Sequence, residues 1–438
     1  MASSTTLSFK DKAKGLWNKD IAKRVLFTLV VLLIYKIGLS VTVPNVKVSD
    51  LTGALQDSSW LSLISLIGGG GLESFSIFSL GVTPYITASI IVQMLGMDVI
   101  PYFTELTKQG NVGRKKMDQI TRYMAVVFAF VQSLSLIYMM NKNYTGLISG
   151  ADSASQMAYI ALVFTAGSFI LIWLGDQMSM KGIGNGLSML IAAGIVGRLP
   201  QQVIGSFQSL CGKSATVDNG MWIFVGYIVA YLLIIVLVTL INTAERKIPI
   251  QYTSSSVALS HLKTANYLPL KVNSASVMPV IFASSIMLAP LQIMTFFMGS
   301  EKLSKVSNWL GMKTWYSLAI YAVLILLFTF FYVKLQINPE RLSKDLGKSG
   351  AYIPSVRPGT ETEKYIDKVL SRITVLGSVA LMLIALLPHV LPLIWTKMPS
   401  SISLGGTGMI IVVGVAIETA KQIEGMMTQD SYKKYYQA

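Results

Sequence analysis

Charge is what this sequence has least of. Only 13% of its 438 residues are Asp, Glu, Lys or Arg, while 53% are hydrophobic. A soluble domain carries about 25% charged residues, so a water-soluble globule is excluded and the bulk of the chain belongs in lipid. Cysteine is nearly absent: the single Cys211 rules out an intrachain disulfide framework. The two histidines, His261 and His389, lie far apart with no Cys or carboxylate cluster at ligand spacing, so no metal site is expected. There is no phosphate-binding loop, nucleophile elbow or HExxH motif. The GIGNG at 182–186 lacks a preceding strand and reads as a flexible turn entering an apolar run. No catalytic residues and no cofactor are expected.

Ionisable residues are also scarce inside the apolar runs, where a pump or ion-coupled transporter would keep them for its work. Lys36 and Glu418 fall near run ends, where their heads can snorkel to the interface.

What the sequence has is ten apolar runs: 24–42, 75–96, 121–140, 157–175, 183–203, 221–242, 275–297, 314–334, 371–392 and 402–420. Each is long enough for a transmembrane helix. The second and fifth are interrupted by Gly81, Pro84, Gly184, Gly186 and Gly194, which spans tolerate when neighbours satisfy the freed backbone groups. The net charge of +15 lies between these runs, so it reads as orientation, with attraction to anionic lipid or a cytosolic partner, and not as a nucleic-acid surface. With the first segment inside, 27 Lys and Arg fall in inner segments and 8 in outer ones, with Lys36 in the first span. Both termini are therefore expected to be cytoplasmic. The polar start, MASSTTLSFKDKAKGLWNKD, has no small-residue cleavage site after it and reads as an uncleaved tail.

Ten spans divide into five and five, and an odd number per half places the second half upside down. The expected organisation is a cytoplasmic tail at 1–23, an N-terminal half at 24–205 and an external linker at 206–220. A C-terminal half at 221–421 and a cytoplasmic tail at 422–438 complete it.

Two patterns point to a conduit. Between spans one and two, WLSLISLIGGGG at 60–71 joins eight mostly apolar residues to four glycines. The apolar piece, as a helix, is about 12 Å long and cannot cross a core of about 30 Å. In span two, Val82, Ile86 and Ile90 share one face and Ser79, Thr83 and Thr87 another. Spans five, seven and ten are likewise broken, at Gly186, Pro279 and Gly408, and place Leu187, Ile191, Ile281 and Ile411 near their middles. A waist of aliphatic side chains flanked by small and polar residues would exclude water and ions yet yield to a flexible chain.

Seven stretches, in order along the chain, resemble the SecY family of protein-export channels. They are SIFSLGVTPYITASIIVQML (76–95), GNVGRKKMDQITRY (110–123), WLGDQMSMKGIGNG (173–186) and NTAERKIPIQY (242–252), followed by YLPLKVNSASVMPVIFASSI (267–286), LGKSGAYIPSVRPGTETEKYIDKV (346–369) and GGTGMIIVVGVAIETAKQIE (405–424). The resemblance implies an all-α polytopic membrane protein. Its ten transmembrane helices would form two inverted five-helix halves, a clamshell with a short outer plug helix and a lateral gate between spans two and seven. It implies a pore ring at Val82, Ile86, Leu187, Ile191, Ile281 and Ile411. It places the plug at about 59–71, with Trp60, Leu61, Leu63, Ile64, Leu66 and Ile67 as its apolar side chains and Gly68, Gly69, Gly70 and Gly71 as its hinge.

The same resemblance implies that Arg246, Lys247 and Arg357 face a ribosome or a SecA-type motor ATPase, and that SecE-like and SecG-like small membrane subunits brace the halves. The chain departs from its relatives at 253–266, TSSSVALSHLKTAN, where Lys263 is the only basic residue and the family usually carries several. The expected function is a passive protein-conducting channel of the bacterial cytoplasmic membrane. It would pass unfolded secretory polypeptides across and release transmembrane segments sideways into membrane lipid. The competing class is an inverted-repeat secondary transporter for a small solute.

Overall fold

The computed structural model describes residues 19–44, 46, 68–72, 74–96, 100–143, 154–211, 219–252, 267–297, 314–394 and 401–437. The residues expected to form the plug, Trp60 to Ile67, lie outside this set, as do His261, Lys263 and the whole of 253–266. The chain divides into two compact units: Met1–Thr216 with Ser285–Gly311 and Ile411–Ala438, and Val217–Ser284 with Met312–Ile410.

In the first unit, α1 is Lys19–Ser40, α2 Thr83–Leu95, α3 Pro101–Lys108, α4 Asn111–Asn143, α5 Ala154–Lys181, α6 Gly186–Val196 and α7 Leu199–Cys211. The second unit holds α8 Asn219–Thr243, β1 Glu245–Pro249, β2 Gln251–Tyr252 and β3 Tyr267–Lys271. After these come the start of α9 Met278–Phe297, α10 Trp315–Gln336, α11 Pro339–Lys348, β4 Ala351–Tyr352 and α12 Thr360–Ile394. The last helix, α13 Ser401–Gln437, belongs from Ile411 onward to the first unit.

All ten predicted spans fall on helices. Among the described residues six helical segments are both long and apolar enough to cross a membrane, from Val112–Tyr138 to Thr360–Leu391, and Thr83–Leu95 and Met278–Met287 are shorter apolar helices. The protein is a multi-pass membrane protein. Its unpartnered apolar surface fits that setting: α8 leaves Trp222, Val229, Leu232, Val236 and Leu240 exposed along its length, which only lipid or another apolar helix can cover.

Three segments differ from the sequence expectation. Span two is helical only from Thr83, because residues 74–82 form successive turns that start with Phe75 at φ 46°. Its 13 helical residues reach about 20 Å. Span five starts at Gly186 instead of 183 and breaks at Gly197 and Arg198, just ahead of Pro200, a residue that cannot continue the hydrogen-bond ladder. Short strands also appear in the loops after spans six and eight, where apolar-run reading sees only polar connectors.

These strands build a small apolar core in the second unit. β1 pairs antiparallel with β3, Glu245 opposite Lys271 through Pro249 opposite Tyr267. β2 pairs with β4, Gln251 opposite Tyr352. Ile248, Ile250, Leu270, Ile353 and Ile366 are buried together, with Leu342 and Leu346 of α11 against them. Each such side chain contributes about 1.5–3 kcal/mol on leaving water, enough to hold two loops remote in sequence as one block.

Candidate functional site

Residues 68–72 and 74–82 are built on the end of α1. Thr42 bridges Ser76, the Val43 amide donates to the Phe75 carbonyl at 3.0 Å, and the Ile77 amide donates to the Val41 carbonyl at 3.1 Å. The Gly71 carbonyl accepts from the Ser76 amide at 3.0 Å and from the hydroxyls of Ser76 and Ser79 at 3.1 and 3.0 Å. Leu72, Phe75, Phe78 and Leu80 are buried around this knot, and Phe75 packs on Phe164 of α5 at 5.3 Å between ring centroids.

The glycine run sits inside this packing. A Cβ on Gly81 would lie 2.5 Å from the Gly68 Cα, one on Gly194 of α6 would overlap Gly69, and one on Gly70 would lie 2.8 Å from the Arg198 Cδ and Nε. The Tyr35 hydroxyl, on a ring only 2% exposed, occupies the place a Gly69 side chain would take. Gly69 also has φ +77°, a conformation that costs other residues about 1–2 kcal/mol. The sequence assigns these glycines to chain freedom. The structure adds a second need, room for backbone to approach backbone.

Of the aliphatic residues picked out for the ring, Val82, Ile86, Ile191 and Ile411 in the first unit are 3%, 8%, 4% and 2% exposed, and Leu187 is partly buried. Val82 is the N-cap of α2, with the Ile86 amide donating to its carbonyl at 3.1 Å. Ile281, in the second unit, is 4% exposed and stands one turn into α9, where the Ser284 hydroxyl bonds its carbonyl.

The GIGNG turn before α6 is tied rather than loose. Its amides face the orphan-donor problem of every helix start, and side chains from three other helices solve it. Ile183 N–H donates to Thr28 Oγ1 at 3.1 Å, Gly184 N–H to Gln422 Oε1, and Gly186 N–H to Ser179 Oγ at 2.8 Å. Asn185 caps the helix by accepting from Ser188 N–H.

In the second unit Arg246 and Lys247 are exposed on β1, Lys247 lying 3.5 Å from Glu245 and 4.7 Å above the Tyr267 ring. Arg357 is exposed in the turn that follows β4 and precedes α12. The β2–β4 pairing, closed by Tyr352 Oη donating to Gln251 Oε1 at 2.9 Å, ties the strand region of the two basic residues to that turn.

Sequence reading passes over several residues. Asn273, 4% exposed, donates through Nδ2 to Asn242 Oδ1 at 2.9 Å and to the Ser276 carbonyl at 3.0 Å, joining the end of α8 to the start of α9. Arg198 and Tyr35 beside the glycine run, and Gln422 and Thr419 beside GIGNG, complete the group. Only Arg198, as a charge in an apolar run, carries a signal readable in advance. His389 is buried edge-on to Tyr321, 5.8 Å between ring centroids, and among the described residues no group of three or more His, Cys, Asp and Glu could hold a metal ion.

The fold is that of solved protein-conducting channels. It matches a SecY structure whose plug domain stabilises the closed state of the translocation channel and maintains a membrane seal (TM-score 0.62, 17% identity, 92% of this chain and 91% of that one). It also matches Sec61 in the canine ribosome–channel complex from the endoplasmic reticulum (TM-score 0.61, 18% identity, 92% and 91%). The SecY family model matches residues 76–420, and the protein translocase subunit SecY 1 of Lactobacillus kefiranofaciens subsp. kefiranofaciens is 42% identical over 439 residues, 99% of each chain. The chain belongs to the SecY family. It is a channel subunit, and the alternative reading as a small-solute transporter is not supported.

Proposed function

We propose that this chain passes unfolded secretory polypeptides through a waist lined by Val82, Ile86, Leu187, Ile191, Ile281 and Ile411. Hydrophobic segments would leave sideways between α2 and α9 into lipid, the better solvent for them by about 0.8 kcal/mol per buried methylene. Trp60 to Ile67 is the plug, and Gly68 to Gly71 is its hinge. The chain performs no chemistry and takes no cofactor, so energy comes from a SecA-type motor or a translating ribosome docking on Arg246, Lys247 and Arg357. SecE-like and SecG-like subunits brace two inverted five-helix halves in the bacterial cytoplasmic membrane, with both termini cytoplasmic.

The observation that carries this reading is the match of the SecY family over 76–420 on a chain whose proposed waist residues are aliphatic, five of the six under 9% exposed. The test is reconstitution into vesicles with the small subunits and a motor ATPase. Protease-protected cargo that depends on ATP supports the reading; saturable uptake of a small solute with no protected cargo overturns it.

A further inference from the structure

We propose that Gln422, with Thr419, is a positioning residue that sets the register of α6 against α13 and so keeps the resting waist sealed. The inference rests on the ring reading above, which places Leu187 and Ile191 on α6 and Ile411 on α13.

The argument starts from α13. Ile411, Val415, Thr419 and Gln422 recur at intervals of four, four and three, one stripe of a helix. The stripe begins apolar, with Ile411 at 2% and Val415 at 6% exposure, and ends in two polar side chains that both reach the start of α6. Gln422 Oε1 accepts from the Gly184 amide. The Thr419 hydroxyl bonds its own helix at the Val415 carbonyl, 2.7 Å away, and contacts Met189 Sδ at 3.6 Å.

Gly184 has φ +81°, and a Cβ there would meet Thr419 Oγ1 at 3.1 Å and Met189 Cγ at 3.3 Å, so the turn is shaped to bring these groups together. Of the side chains that cap this turn, Thr28 lies on α1, Ser179 on α5 and Asn185 in the turn itself. Only Gln422 comes from a helix bearing another ring residue. Ile183, Ile21 and Met427 are buried beside the joint, with Ile423 and Met426 against them; Gly184 is itself buried while Gln422 is exposed, so a lost acceptor takes from the buried Gly184 amide its side-chain partner.

The joint fixes two helices along their length, because a hydrogen bond to one amide admits one register while apolar packing alone tolerates sliding. The feature required at position 422 is an acceptor oxygen at the end of a two-methylene arm. Glutamate keeps it, and leucine of similar size does not.

The experiment measures resting ion conductance of the full chain, reconstituted with its small subunits, in planar bilayers without motor or cargo. Gln422→Leu raises resting conductance about fivefold, the scale set by loss of one part-buried hydrogen bond, and Gln422→Glu stays within about twofold of the parent. A second readout works in native membranes without purification: in a Cys211→Ser background, oxidative cross-linking of Met189→Cys with Thr419→Cys is efficient in the parent and falls severalfold when Gln422→Leu is added. A sealed Gln422→Leu channel, equal leakage from the Leu and Glu variants, or undiminished cross-linking overturns the proposal. Glycine at Ile86 and Ile191 is measured alongside: if those variants leak and Gln422→Leu does not, the ring reading stands and the register proposal falls. If Gln422→Leu leaks and they do not, the ring reading falls instead.

Discussion

Gly69 and Gly194 meet backbone to backbone: the second residue of the four-glycine run lies against the third turn of α6, so closely that a side chain on Gly194 would overlap it. The proposed hinge is therefore held by the same helix that carries Leu187 and Ile191. Gly194→Ala pushes the run off α6 at a cost of about 1–3 kcal/mol, the usual range for overpacking. Its melting temperature in detergent falls and its resting conductance rises. Gly205→Ala is the matched control, since nothing lies within 4 Å of a Cβ there. Replacing an exposed helical glycine leaves stability unchanged or raises it by up to about 1 kcal/mol.

The joint between α8 and α9 gives two substitutions of opposite sign. Asn273→Ala removes the bonds to Asn242 and to the Ser276 carbonyl and lowers stability by about 1–3 kcal/mol, because buried partners lose their pairing. Ser276 stands at φ 54°, so Ser276→Gly raises stability by about 1 kcal/mol through relief of a left-handed backbone. Thermal unfolding followed by tryptophan fluorescence checks both, and equal effects of the same sign contradict the assignment.

If the waist is a gasket, its bulk is what seals it. Ile86→Gly and Ile191→Gly raise resting ion conductance, measured in planar bilayers without cargo. Conductance equal to the parent removes these residues from the ring.

If the proposed docking face is electrostatic, Arg246→Glu and Arg357→Glu each weaken binding of the motor or ribosome on the order of fivefold at low salt, and the difference shrinks as salt screens it. Lys344→Gln on α11 has a smaller effect, because Lys344 already pairs with Glu340 at 2.6 Å. Co-sedimentation with membranes carrying each variant measures the difference, and equal losses from all three contradict a specific docking face.

Long apolar runs made most of the helices legible, because length and hydropathy depend on composition over some twenty residues and tolerate boundary errors. Span two resisted this because Phe75 and Gly81 take positive φ and turn residues 74–82 inside a run that still looks continuous. The strands at 251–252 and 351–352 were hidden for another reason: their pairing joins residues about one hundred positions apart, and only the fold brings them together. The polar joints have the same character. Gln422 meets Gly184 across 238 positions, and a glutamine near the end of an apolar helix has no local pattern that reveals its partner.

The central claim is that cargo passes through an aliphatic waist, and site-specific photocross-linking of an arrested secretory chain tests it most directly. With the cross-linker placed in turn at 82, 86, 187, 191, 281 and 411, the account predicts adducts to the arrested chain at these positions, and none from probes on the exposed face of α8, at 229 and 236. Adducts confined to the α8 probes, or absent from all six waist positions while export continues, would contradict it.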